Sequence, residues 1–109
     1  MSVFDGIVTG RPKEVWSNIL RKLSAYTRQD RARRFKIGIT NNPKQRYRQA
    51  YAHIYDEMIL LYRTSSIDYV SQLEGIIVDH NWEVADNMIA GGGGNIGAPP
   101  YYLYIVIKH

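Results

Sequence analysis

The sequence predicts an α+β domain, a small antiparallel sheet of three to four strands flanked by helices. Three short segments at residues 35–40, 58–63 and 101–107 are rich in β-branched and aromatic side chains, the composition of strands. Two stretches, beginning near residues 12 and 67, repeat apolar residues every three to four positions, the spacing of one helix face. At 109 residues the chain can enclose one hydrophobic core and not two, so residues 1–109 form a single domain.

The elements follow in order. Over residues 12–27, Val15, Trp16, Ile19, Leu20, Leu23 and Tyr26 fall on one side of a helix, with Pro12 suited to its first turn. Residues 28–34 (RQDRARR) have no apolar period and read as a basic loop. Residues 35–40 (FKIGIT) make a strand that ends at the turn signal Asn41-Asn42-Pro43. Asn42 then caps a helix over residues 43–53, with Pro43 at its first position and Gln45 three residues after the cap. Residues 58–63 (MILLYR) form the second strand. A third helix starts after Ser65 or Ser66 and lines up Ile67, Val70, Leu73, Ile77 and Val78, with Glu74 inside that apolar stripe. The glycines at 91–94 and 97 with Pro99-Pro100 exclude regular structure and make a loop. Residues 101–107 (YYLYIVI) are the strongest strand signal.

An apolar content of 45% fits a soluble globular protein. No apolar run approaches the ~20 residues that cross a bilayer, and Met1-Ser2-Val3-Phe4-Asp5 lacks a signal peptide's layout. The expected setting is intracellular, cytoplasmic or nucleoid-associated, with no membrane partner. The absence of cysteine removes disulfides and thiolate metal sites, and His53, His80 and His109 show no ligand spacing. A bound metal would therefore be a hard, oxygen-liganded ion such as Mg²⁺ or Mn²⁺. Nine tyrosines against two phenylalanines are unusual, because a buried phenol must find a hydrogen-bond partner. Some of them are expected to line a polar surface.

The net charge of +4 conceals an asymmetry. Residues 11–48 carry twelve of the fourteen basic side chains against Glu14 and Asp30, a balance of +10, which leaves −6 on the rest of the chain. A basic half of this kind holds phosphates, so the expected partner is nucleic acid, with Arg34, Lys36, Lys44 and Arg48 among the contacts.

Phosphodiester cleavage needs a group to activate water, a cation to neutralise the developing charge and, commonly, a metal held by a carboxylate. Arg46, Glu74 and the tyrosines can supply these parts. Lys36-Ile37-Gly38-Ile39-Thr40 with Arg46 eight residues after Gly38, then a strand, a Thr-Ser-Ser turn, a helix with Leu73-Glu74, and Asn87 thirteen residues after Glu74, together resemble the GIY-YIG endonucleases over roughly residues 35–95. The resemblance implies a three-stranded antiparallel sheet flanked by helices, and hydrolysis of DNA phosphodiesters with one divalent metal. It implies that Glu74 ligates the metal, Arg46 steadies the scissile phosphate, and Asn87 supports the site or contacts the backbone. Lys36 stands where the family has the tyrosine of its Tyr-Ile-Gly strand, Ala50 stands where it has a histidine, and no Gly-Ile-Tyr strand lies just upstream. Gly6-Ile7-Val8 is its only literal trace. A rearranged order, in which residues 101–106 pair with residues 35–40, would replace the missing strand and put Tyr102 at the general-base position. The expected function is thus a metal-dependent endonuclease, the alternative a non-catalytic nucleic-acid-binding module that keeps the fold. A second copy of the chain, as a homodimer, or a partner domain is expected to add specificity, since single modules bury a modest interface.

Overall fold

The computed structural model describes residues 3–26, 34–81 and 97–109. They form an α+β domain with the order β1 (Val3–Val8), α1 (Pro12–Tyr26), β2 (Arg34–Thr40), α2 (Pro43–Arg46) running into a π-helical turn (Tyr47–Tyr51), β3 (Glu57–Thr64), α3 (Ile67–Asn81) and β4 (Tyr101–Lys108). The four strands make one sheet in the order β1-β3-β4-β2.

β4 is the centre of the molecule. It runs antiparallel to β2, with Gly38 opposite Tyr104 and Thr40 opposite Tyr102, and antiparallel to β3 on its other side. The rearranged pairing of residues 101–106 with residues 35–40 is therefore present. Alternation along β4 separates two faces. Tyr101, Leu103, Ile105 and Ile107 join Ile19 and Leu23 of α1 and Val70, Leu73 and Ile77 of α3 in the larger core. Tyr104 and Val106, with Tyr102 at the margin, face Tyr47, Tyr51 and Tyr55 in a smaller one. Each fully buried Ile or Leu contributes about 1.5–3 kcal/mol of apolar transfer, so the larger core dominates stability.

Local chemistry explains the boundaries. Asn42 Oδ1 accepts the Gln45 amide at 3.3 Å, and Pro43 opens α2 where its missing N–H is not needed. Ser66 Oγ accepts the Tyr69 amide at 3.2 Å, so Ser66 rather than Ser65 caps α3. The expected helix over residues 43–53 forms differently. After one α-turn it becomes a π-turn over Tyr47–Tyr51. Tyr47, Tyr51 and Tyr55 pack together in the smaller core.

Two features depart from the sequence expectation. The sheet is mixed, because β1 adds to the edge of β3 in parallel. β1 is weakly signalled: Asp5-Gly6 interrupts it, the Asp5 carboxylate accepts the Ile7 amide at 3.1 Å, and its register slips between Asp5 and Val8. Gly6-Ile7-Val8 lies in this strand, on the far side of β3 and β4 from β2, so it is not a displaced Gly-Ile-Tyr strand. In β3 a bulge between Leu60 and Tyr62 gives two residues for one step of β4, and both Leu61 and Tyr62 turn into the larger core. The Tyr62 hydroxyl there donates to the Gly10 carbonyl after β1.

Candidate nucleic-acid interface

The sheet face beneath the π-turn gathers the polar chemistry. Phe35 and Ile37 of β2 belong to the larger core, so Lys36, Gly38 and Thr40 face the other way, beside Val106, Tyr104 and Tyr102 respectively. Gly38 is the key to this surface. A Cβ built on it would lie 2.3 Å from the Tyr104 hydroxyl oxygen and 2.5 Å from Cζ, so the Tyr104 phenol lies across the bare glycine backbone. No left-handed backbone angle requires glycine there; space does.

Across Gly38, the Tyr104 hydroxyl meets the Tyr51 hydroxyl at 2.7 Å, and their ring centroids are 5.7 Å apart. Tyr55 meets Tyr51 edge-on at 5.7 Å, and the Tyr47 hydroxyl donates to the Tyr55 carbonyl at 2.9 Å. Every phenol in this row is buried, and its hydroxyl is satisfied among the described residues. Two cations then close over Tyr51. The Lys36 ammonium and the Arg46 guanidinium carbon each sit 5.8 Å from its ring centroid, within cation–π range.

The electrostatics follow from this packing. Hydrogen bonding to the Tyr104 hydroxyl raises the Arg46 pKa above its ordinary value, outweighing the desolvation that opposes it. Burial, reinforced by Tyr51, pushes the Tyr104 phenol well above its ordinary value against the opposing pull of Arg46. Tyr104 is thus a neutral phenol at physiological pH. Arg46 itself is exposed, a fixed and permanently charged fork at the surface.

The sequence-derived site residues divide between places. Arg46, Lys36 and Lys44 lie on this face, and Arg48 is exposed on the π-turn. Arg34 begins β2 opposite Lys108. Tyr102 does not reach the position expected of it: it stands opposite Thr40, and the phenol at Gly38 and Arg46 is that of Tyr104. The two-residue offset keeps the side but moves the hydroxyl one pleat along the strand. Glu74 is 2% exposed in the buried row of α3, on the sheet face opposite Tyr104, and it has a partner there. Asn87 lies outside the described residues. Tyr51 and Tyr104 were not singled out from sequence. Their signal was the four-residue spacing of Tyr47, Tyr51 and Tyr55, together with the glycine that must face an aromatic ring.

A divalent metal was tested against this donor set. Arg46 and Lys36 present positive charge and hydrogen-bond donors, which suit phosphate oxygens and repel a cation. Among the described residues no three His, Asp or Glu side chains group as a metal centre. The carboxylate expected as ligand, Glu74, is on the other side of the sheet from Arg46. The residues of this cluster do not fit a metal.

Beside the cluster, toward β1, the same face opens into a groove of about 280 Å³ between β1, β3, β4 and the start of α2. Compared with known protein families, curated proteins and solved structures, the chain gives no significant match. No helix among the described residues is long and apolar enough to cross a membrane.

Proposed function

We propose that this chain is a nucleic-acid-processing domain of the GIY-YIG-like type with a permuted strand order, an endonuclease acting on DNA phosphodiesters. The observation that carries this is the Arg46–Tyr104–Tyr51 cluster packed on Gly38. A Lys-Ile-Gly strand, its antiparallel aromatic partner and the arginine one helix later lie at one surface, which supports this reading. Arg46 clamps the phosphate in two-pronged fashion and stabilises charge that grows during cleavage, while Lys36 adds a second cation across Tyr51. Tyr104 and Tyr51 lie beside the guanidinium and favour its charged form.

A second reading, a non-catalytic nucleic-acid-binding module, is favoured by one observation: Glu74 is buried on the opposite face with a partner of its own. Incubation of the purified protein with supercoiled plasmid plus Mg²⁺ or Mn²⁺, with an EDTA control, separates the two. Nicking supports the endonuclease, and the EDTA control shows whether it uses a metal. Retention of plasmid in a gel without any cut, at every metal condition, supports the binding module.

A further inference from the structure

We propose that the groove beside the Arg46 cluster takes an unpaired nucleotide next to the phosphate held there, so that the preferred substrate has a single-stranded or splayed segment. The inference rests on the nucleic-acid reading above and adds a substrate class to it. The groove has an apolar floor from Val3, Ile7 and Leu60, an aromatic wall in half-buried Tyr102, and two exposed cations, Lys44 and Arg63, at its rim. Among the described residues neither cation makes an ion pair, and Asp5 is the one acid in the lining.

Placement ties the groove to the cluster. Tyr102 and Tyr104 are two residues apart on one face of β4, about 7 Å along the strand. Lys44 is two residues before Arg46 on α2, and Arg63 is the register partner of Tyr102 on β3. A strand whose phosphate lies on Arg46 and Lys36 thus meets an aromatic ring with an apolar floor at the next position, and then two more cations. This is the combination that binds single strands: cations for the backbone and an aromatic platform for a base. A base inside a duplex is already stacked on its neighbours and cannot enter, whereas an unpaired base can. The alternation of charge and apolar surface also explains why Tyr102 keeps a partly exposed ring in a strand otherwise devoted to core.

The test measures binding in EDTA, by fluorescence anisotropy, of a short labelled single-stranded oligonucleotide and of the blunt duplex made from it. Tyr102→Leu is expected to weaken single-strand binding about tenfold while leaving duplex binding at the parent value, and Tyr102→Phe to bind as the parent does. Lys44→Gln combined with Arg63→Gln is expected to weaken single-strand binding and flatten its salt dependence. These two residues are exposed, so this variant decides the matter should Tyr102→Leu not fold. Single-strand binding unchanged in both the leucine variant and the double variant, with the parent still binding in a salt-dependent way, would overturn the groove and leave the nucleic-acid reading intact. No binding of either oligonucleotide by the parent at low salt would remove both.

Discussion

Replacing Gly38 by alanine tests the architecture of the whole site with one methyl group. The new Cβ would fall 2.3 Å from the Tyr104 hydroxyl and 2.5 Å from Cζ, so the ring must move. Tyr104 is 1% exposed and boxed in by Tyr51, which leaves it no free direction. Overpacking of this kind costs about 1–3 kcal/mol, and straining the hydroxyl bond to Tyr51 adds about 0.5–1.5 kcal/mol. A total of about 1.5–4.5 kcal/mol lowers the Tm of a domain this size by about 6 °C or more. Thermal unfolding followed by circular dichroism measures it, in the parent and in a Tyr104→Leu background. In that background the obstacle is gone, and alanine should be neutral or stabilising by about 0.5–1 kcal/mol, because glycine loses more backbone entropy in a strand. An equal loss in both backgrounds would refute the claim that Gly38 exists to admit the Tyr104 ring.

The remaining expectations concern charge, catalysis and pH. Arg46→Ala should lower kcat on plasmid by about 10²–10³-fold with a much smaller change in Kd, because other basic residues share ground-state binding; single-turnover cleavage compared with anisotropy measures both, and equal losses would make Arg46 an ordinary phosphate contact. Nucleic-acid affinity should fall linearly in a plot of log K against log salt, through counterion release by the basic segment of residues 11–48, and a flat plot would remove the nucleic-acid reading. If Glu74 is a structural ion-pair partner, Glu74→Gln should lower the Tm, since breaking a buried pair strands the remaining charge at about 3–5 kcal/mol; loss of metal-dependent cleavage at an unchanged Tm would instead support the metal-ligand role that the resemblance implies. Burial raises the Tyr104, Tyr47 and Tyr62 phenols above their ordinary value of 10.0, so the unfolded chain releases these protons first. Their contribution to stability is therefore complete below about pH 10 and is lost as pH climbs beyond it. The Tm should fall on that alkaline limb, and less steeply in Tyr104→Phe; equal slopes would contradict the buried-phenol assignment.

Much of the fold was written in local sequence. Pro12, the Asn42-Pro43 start of α2, the serine cap of α3 and the β-branched runs of β2, β3 and β4 each act within a few residues of themselves, so their elements follow from short-range chemistry alone. The segregation of +10 onto residues 11–48 and the alignment of Lys36, Gly38 and Arg46 were equally legible, because spacing along a strand and the helix after it fixes which side chains share a face. The tertiary structure decided what depends on partners distant in the chain. It placed β4 between β2 and β3, which selected Tyr104 over Tyr102 as the phenol above Gly38; a shift of two residues is invisible to a period-two pattern, since both tyrosines point the same way. It recruited β1 in parallel, although Asp5-Gly6 weakens it locally, because an edge strand is held chiefly by its neighbour. It also assigned Arg46 and Glu74 to opposite sides of the sheet. Both belong to helices that can pack on either side, and only the packing of the apolar faces, a property of the whole core, determines which side each helix takes.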